Sequence, residues 1–266
     1  MPSHTSQGAS PGQRAPEHIL RTHKLTKAFK GFCAVSDVDL AVTRGSIHAL
    51  IGPNGAGKTT CFNLLTKFLA PSSGTIHFNG EDITSARPAQ IARKGVTRSF
   101  QISAVFPQLT VLENVRVALQ RKLGTSYHCW KSKRTLARLD EQAFALLEAV
   151  GLGGFAQLPT ADLAYGRKRA LELATTLAMD PELMLLDEPT QGMGHEDVEV
   201  VTALIKRVSA GRTVLMVEHN MSVVSSIADR ITVLQRGSIL AEGAYDEVSR
   251  NPQVMEAYMG TVEATP

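Results

Sequence analysis

The chain has 266 residues and a formal charge of +3, with 28 Lys and Arg against 25 Asp and Glu. This length allows one large α/β domain or a core with an inserted subdomain, and either can bury a sizeable core. The net charge is small and the basic residues are scattered, so no nucleic-acid partner is expected. The three cysteines are far apart and lack metal-ligand spacing, which indicates reduced cytosolic thiols.

The two ends of the chain are expected to be tails. Residues 1–17 are rich in Ser, Pro, Gly and Gln and lack the apolar segment of a signal peptide, which predicts disorder; residues 261–266 form a second short tail. No run of eighteen apolar residues occurs in the sequence. The chain is therefore not expected to span a membrane, and any membrane role would need a partner.

The first structured segment predicts an antiparallel β layer. Residues 19–30 and 35–42 have the pattern of two strands, and in the second, apolar Val38, Leu40 and Val42 alternate with other residues. A third strand is expected at residues 75–78, before the Asn79-Gly80 turn. The antiparallel layer of the first two strands would lead into the apolar run of residues 47–51.

A phosphate-binding loop follows that apolar run. Residues 52–60 read Gly-Pro-Asn-Gly-Ala-Gly-Lys-Thr-Thr, which is glycine, four residues, then Gly-Lys-Thr. The glycines allow main-chain N–H groups to close on phosphates, and a helix beginning near Lys58 would point its free N–H groups at the same anion. Lys58 would contact the β- and γ-phosphates and Thr59 would bind Mg²⁺. A plain glycine-rich turn is the alternative. The residues expected to contact the nucleotide here are Asn54, Gly55, Ala56, Gly57, Lys58, Thr59 and Thr60.

A helical block interrupts the strand pattern. Apolar residues recur at three- and four-residue steps between residues 136 and 150, and glycines at 151, 153 and 154 would end that helix. We expect an inserted helical subdomain over about residues 101–180, within one domain that covers residues 18–260. A second helix is expected to start near Gly166, with its own N-terminal anion site.

Two further strands are predicted to be buried on both faces. Residues 183–186 run directly into Asp187-Glu188, and residues 213–217 run into Glu218-His219. The fold class is therefore α/β, a P-loop NTPase core with a parallel sheet, an N-terminal antiparallel layer and a helical insertion. At the strand end, Asp187 could reach Mg²⁺ and Glu188 could face a water near the γ-phosphate.

The order of these motifs resembles the nucleotide-binding subunit of ATP-binding cassette (ABC) transporters, from about residue 19 to residue 260. The resemblance is carried by residues 52–60, Gln101, Leu163-Ala164-Tyr165-Gly166, residues 183–189 and His219. Within that family, Arg98-Ser99-Phe100-Gln101 and Glu218-His219-Asn220-Met221 are most similar to the ATPases of branched-chain amino acid importers.

The resemblance implies an Mg-ATP hydrolase that works as a head-to-tail dimer. Phe29 would stack on adenine, and Gln101 would bind Mg²⁺ and contact the membrane partner. Glu188 would be the general base and His219 the γ-phosphate contact, while Tyr165 and Gly166 would close on ATP held by the opposite subunit. Taken alone, Phe29 could be a core residue, Gln101 an ordinary loop residue and His219 an ordinary histidine at a strand end.

Two positions depart from the family pattern. The serine that often precedes the signature glycine is replaced by Ala164, and the Asp or Asn that often follows the Asp187-Glu188-Pro189 stretch is replaced by Gly194. Either backbone N–H groups suffice at these positions, or one of the two ATP sites of the dimer is weakened.

Implied partners are transmembrane permease subunits, a second ATPase subunit that is identical or paralogous, and indirectly a solute-binding protein. The implied location is the cytoplasmic face of the inner membrane, as a peripheral subunit. Branched-chain or related amino acids are the expected cargo; amides, urea or small aromatic acids, or export of lipid or lipopolysaccharide, are the alternatives. A soluble ATPase acting on DNA or ribosomes usually carries two cassettes or a long coiled coil, and a GTPase needs a guanine-binding motif; the sequence has neither.

Overall fold

The computed structural model describes residues 17–99, 105–122 and 133–259. Gln101 and nearly all of the two expected tails lie outside these ranges. The strands are β1 (His18–Phe29), β2 (Phe32–Val38), β3 (Ala41–Thr43), β4 (Ile47–Ile51), β5 (Ser73–Phe78), β6 (Glu81–Asp82), β7 (Val96–Ser99), β8 (Leu183–Asp187), β9 (Thr213–Val217), β10 (Arg230–Gln235) and β11 (Ser238–Gly243). The helices are α1 (Lys58–Leu65), α2 (Pro88–Arg93), α3 (Val111–Lys122), α4 (Lys133–Ala149), α5 (Tyr165–Ala178), α6 (His195–Val208), α7 (Met221–Ile227), α8 (Tyr245–Ser249) and α9 (Pro252–Met259).

A largely parallel sheet forms the centre of the fold, with strand order β11-β10-β4-β9-β8-β7. Strands β10, β4, β9, β8 and β7 are parallel to their neighbours, and β11 closes the edge as an antiparallel hairpin with β10. The predicted doubly wound α/β core is confirmed. The carboxyl ends of β4, β8 and β9 consequently lie side by side at one edge of the sheet.

The antiparallel layer is a second sheet, with strand order β2-β1-β5-β6 and β3 also paired to β1. The segment expected to be one strand from residue 35 to 42 is divided between β2 and β3. The division has a local cause, because Asp37 has a positive φ of 48° and Asp39 turns to accept a hydrogen bond from the Lys24 N–H at 2.7 Å. The chain changes direction there and pairs twice with β1.

The central sheet divides the core into two clusters because successive side chains of a strand point to opposite faces. On β8, Met184 and Leu186 pack with the helices of one face, whereas Leu183 and Leu185 pack toward α1 and the antiparallel layer. All four side chains are fully buried. The unbroken apolar run that precedes Asp187 is therefore explained by burial on both faces.

Helices α3, α4 and α5 lie between β7 and β8 in sequence, while β7 and β8 pair directly in space. The three helices pack on one another through buried apolar residues, among them Val115, Leu139, Ala143, Leu147 and Leu171. This arrangement supports the proposed helical insertion. No helix among the described residues is both long enough and apolar enough to cross a membrane.

His48, on β4, is a structural residue. Its ring is fully buried and its Nε2 lies 2.8 Å from the Thr232 hydroxyl. The pKa of His48 is lowered to about 4, mainly by burial; the negative charge of Glu242 opposes this shift, and the positive charge of Arg230 adds to it. The imidazole is therefore neutral at neutral pH.

Replacing Leu185 with Ala tests the assignment of β8 to the doubly buried centre of the sheet. We expect the free energy of unfolding to fall by about 2–5 kcal/mol in denaturant titrations, because a cavity replaces a side chain that is 0% exposed. The control, Val200→Ala on α6, removes a side chain that is 67% exposed and should change stability by less than about 0.5 kcal/mol. Equal effects of the two substitutions would contradict the assignment.

Candidate functional site

The phosphate loop joins β4 to α1, and two of its glycines are required by close backbone contacts. A Cβ atom at Gly52 would lie 2.2 Å from the Leu234 carbonyl oxygen, and one at Gly57 would lie 2.4 Å from the Ala34 carbonyl oxygen. Gly57 also has a positive φ of 99° and immediately precedes α1, which begins at Lys58 as the sequence predicts. The loop therefore packs closely against β10 and β2 and leads directly into the N-terminus of α1, whose free N–H groups favour an anion.

Lys58 lies at the end of this loop, and its ammonium group contacts two carbonyl oxygens of the loop. Its Nζ donates to the Gly52 carbonyl at 2.6 Å and to the Pro53 carbonyl at 3.0 Å. Partial burial lowers the pKa of Lys58, and the negative charge of Glu188 opposes that shift. The loop therefore already holds a cation at the place where the sequence predicts contact with phosphate oxygens.

The carboxyl ends of β8 and β9 bring the predicted carboxylates and histidine together. Asp187 pairs in register with Val217, and the Glu188 N–H donates to the Val217 carbonyl at 2.9 Å. Glu188 is one residue beyond Asp187 and His219 is two beyond Val217, and Glu188 Oε1 and His219 Nδ1 are 4.0 Å apart. Glu188 has a left-handed backbone with φ of 45°, a conformation that costs energy for a residue with a side chain and is common at functional sites.

Arg98 is a site residue whose role the sequence did not reveal. It lies on β7, and its guanidinium donates to Asp187 Oδ2 and, at 2.7 Å, to Asn63 Oδ1. The same group lies 5.3 Å from the ring centroid of Phe62 and 5.8 Å from that of Phe68. Arg98 thereby fixes the orientation of Asp187 and occupies one of its two carboxylate oxygens. The available sequence signal was the position of this arginine in the Arg98-Ser99-Phe100-Gln101 motif.

The available ligands suit Mg²⁺. Thr59 contributes a hydroxyl in the first turn of α1, and Asp187 has a second carboxylate oxygen that Arg98 does not take. Mg²⁺ prefers hard oxygen ligands and commonly uses one or two protein groups together with substrate phosphates and water. These two side chains therefore fit the ion; Gln101, the third predicted ligand, lies outside the described residues.

Phe29 and the signature residues occupy other parts of the surface. Phe29 ends β1 with its ring 45% exposed and the Lys27 ammonium 5.4 Å from the ring centroid, so it is not a core residue. Tyr165 begins α5, and its hydroxyl donates to the Gln191 carbonyl at 3.0 Å. A Cβ atom at Gly166 would lie 2.8 Å from Asp197 Oδ1. Tyr165 and Gly166 therefore both lie against residues that follow Glu188 in the chain.

The role of Glu218 is also not evident from the sequence, in which it is one residue of the Glu218-His219 motif. Its side chain is fully buried between the loop after β8 and the loop after β9. It is 0% exposed and its hydrogen bonds go to residues of those two loops, so its importance is visible only from the pairing of the two strands.

Comparison with known proteins places this site in a family. The family model described as ABC transporter matches residues 35–191, and the one described as branched-chain amino acid ATP-binding cassette transporter matches residues 238–264. The chain is 40% identical to the high-affinity branched-chain amino acid transport ATP-binding protein BraF of Pseudomonas aeruginosa, over 91% of this chain and 98% of BraF. It is 38% identical to LivG of Escherichia coli, a protein with the same description, over the same shares of the two chains.

A solved structure supports the same conclusion. The ADP conformation of MJ1267, an ATP-binding cassette of an ABC transporter, superposes with a TM-score of 0.79 at 29% identity and covers 91% of this chain and 99% of its own. The matched region contains the phosphate loop, Asp187 and Glu188. The chain therefore belongs to the ABC transporter family, as one of its ATP-hydrolysing subunits.

Proposed function

We propose that this subunit hydrolyses Mg-ATP at the shared edge of β4, β8 and β9, and that hydrolysis drives the uptake of branched-chain amino acids. One observation carries the catalytic part of the proposal. Glu188 lies 4.0 Å from His219, and its charge acts on Lys58 of the phosphate loop. A carboxylate, an imidazole and an ammonium group thus converge on the place where the γ-phosphate of a loop-bound nucleotide would lie.

Nucleotide binding is assigned to the loop and to Phe29. The exposed ring of Phe29 would stack on adenine, and the N–H groups of residues 54–60 would surround the phosphates. Lys58 would exchange the carbonyls of Gly52 and Pro53 for β- and γ-phosphate oxygens, which are stronger acceptors because they are charged.

The chemical step is assigned to Glu188, which is half-buried and has its carboxylate directed to the His219 side of the site. It would accept a proton from the attacking water, while His219 would donate a hydrogen bond to the γ-phosphate. Thr59 and Asp187, together with Gln101, would hold Mg²⁺, which would neutralise the negative charge that develops on the phosphate oxygens. Arg98 keeps the Asp187 carboxylate in a fixed orientation toward this position.

A second ATPase subunit would complete the site. Gly166 lies at the start of α5, a helix of 14 residues whose N-terminal N–H groups can bind an anion, and Tyr165 and Gly166 would approach ATP on the opposite subunit. Ala164 lacks a hydroxyl there, so backbone N–H groups would provide the contact. A paralogous partner with a serine at this position would make the two ATP sites unequal.

The transport role implies permease subunits as partners. It also implies a peripheral position on the cytoplasmic face of the inner membrane. In the described part of the segment after Gln101, Phe106 is 53% exposed and Leu109 is half-buried, which gives an apolar surface for a permease helix. A solute-binding protein would deliver cargo to those permease subunits without contacting this chain.

The cargo assignment rests on relatives. BraF and LivG, both described as branched-chain amino acid transport ATP-binding proteins, align with almost the whole chain. The match to the branched-chain family model at residues 238–264 covers β11, α8 and α9, which lie outside the ATPase motifs. Because this match lies outside the ATPase motifs, it indicates the class of transporter more directly than the phosphate loop does.

Replacing Glu188 with Gln tests the chemical assignment. Gln keeps the size of the side chain but cannot accept the proton, so we expect ATP to bind with near-normal affinity while the hydrolysis rate falls by about 10²- to 10⁴-fold. Steady-state ATPase assays and titration with a fluorescent ATP analogue measure the two quantities. Glu199→Gln, at an exposed position on α6, is the matched control and should hydrolyse ATP normally. Normal hydrolysis by Glu188→Gln would refute the role of general base.

Uptake in a strain lacking this subunit tests the cargo. We expect loss of labelled leucine, isoleucine and valine uptake at low external concentration, and its recovery with the wild-type chain. Lys58→Ala should fail to restore uptake because the loop loses its phosphate-binding cation, whereas Lys206→Ala on the exposed face of α6 should restore it. Unchanged uptake of all three amino acids, with loss of an amide, urea, an aromatic acid or outward lipid transport, would contradict the cargo assignment and leave the ATPase assignment intact.

A further inference from the structure

Glu218 places a fully buried carboxylate between the two loops that carry Glu188 and His219. Its Oε1 accepts a hydrogen bond from the Thr190 N–H at 3.1 Å and another from the Thr190 hydroxyl. Its Oε2 accepts from the N–H of His219 at 2.9 Å and from that of Asn220 at 3.1 Å. Each oxygen therefore binds one loop, and each loop contributes two donors.

The division of donors between the two oxygens explains why a charged residue is stable there. An ionised carboxylate has about four acceptor sites and no donor, so four converging N–H and O–H groups match it. Burial of such a group is unfavourable unless it is hydrogen-bonded, and here the four bonds compensate for lost hydration. An amide could not replace it, because its NH₂ group would face a backbone N–H on one loop or the other.

The parallel pairing of β8 with β9 makes this contact possible. Asp187 and Val217 are in register at the ends of the two strands, so the loops leave the sheet side by side. Glu218 follows Val217 directly, and Thr190 is two residues beyond Glu188. The contact therefore joins residues that lie within two positions of Glu188 and His219, whose side chains form the 4.0 Å pair between Oε1 and Nδ1.

We propose that Glu218 is a positioning residue that ties the loop of Glu188 to the loop of His219 and holds both side chains at the working distance for ATP hydrolysis. The proposal rests on the proposed roles of Glu188 and His219. Glu188 needs such support because its left-handed backbone is unfavourable in isolation. A positioning role of this kind acts on the rate of the chemical step and leaves nucleotide binding, which depends on the phosphate loop, largely unchanged.

Two variants test the proposal in the full chain assembled with the second ATPase subunit that completes its site. In Glu218→Gln, at least one of the two loops loses an acceptor; in Thr190→Val, only the hydroxyl donor is lost. We expect kcat to fall by about 10- to 100-fold in Glu218→Gln, the effect of losing a hydrogen bond to a charged group, and by several-fold in Thr190→Val. The Kd for an ATP analogue should change by less than about two-fold in both, which separates positioning from binding.

Thr202→Val is the matched control, because it removes another buried hydroxyl that donates within α6, to the Val198 carbonyl at 2.6 Å. It should hydrolyse ATP at the wild-type rate. Combining Glu218→Gln with His219→Ala should cost less than the product of the two separate costs, because residues that act through one another are not additive.

Three outcomes would overturn the proposal. If Glu188→Gln and His219→Ala are inactive while Glu218→Gln and Thr190→Val are as active as wild type, the positioning role is wrong and the catalytic assignment stands. If Glu188→Gln and His219→Ala are fully active, the catalytic assignment is wrong and the positioning role fails with it. If Thr190→Val loses ATP affinity and thermal stability in proportion to kcat, Glu218 has a structural role only.

Discussion

The site depends on one constraint, the parallel pairing of β4, β9 and β8. In a parallel sheet all strands end at the same edge, so groups that follow three separate strands meet there. The register of Asp187 with Val217 places the loop of Glu188 beside the loop of His219, and the neighbouring strand β4 leads into the phosphate loop. A different register would separate the carboxylates of Asp187 and Glu188 from the phosphate loop, even in a chain with the same residues.

The electrostatics of the site follow from this convergence. Two cationic groups, Lys58 and Arg98, are held among oxygen acceptors, and Arg98 is bonded directly to Asp187. The negative charge of Glu188 partly offsets the effect of burial on the pKa of Lys58. Buried and half-buried charges of opposite sign are thereby held beside one another by the protein itself, and such preorganised charges need little reorganisation when phosphate charge enters.

Much of this arrangement could be predicted from the sequence because its signals are local. The glycine spacing, the start of α1 at Lys58 and the apolar run before Asp187 each occupy a few consecutive residues, and the structure has them at those positions. The family resemblance and the α/β fold are confirmed for the same reason. The role of Gln101, the closure of Gly166 on a second subunit and the ligands of Mg²⁺ stay predictions.

What the sequence did not predict depends on contacts between distant segments. Arg98 reaches Asp187 only because β7 and β8 pair across the whole helical insertion, and the sequence does not specify that register. Glu218 is an acidic residue after a buried strand, and its position gives no indication of whether it faces the nucleotide or the neighbouring loop. The break between β2 and β3 was missed because alternation continues through Asp39 while the backbone turns.

A structure of Glu188→Gln bound to Mg²⁺ and ATP tests the central claim most directly, that the strand ends and the phosphate loop form one ATP-hydrolysing site. The claim predicts that Lys58 Nζ leaves the Gly52 and Pro53 carbonyls for the β- and γ-phosphates, with Thr59 and Asp187 at the metal and the γ-phosphate between residue 188 and His219. A nucleotide bound elsewhere, or a γ-phosphate remote from His219 while Lys58 still contacts Gly52, would contradict it.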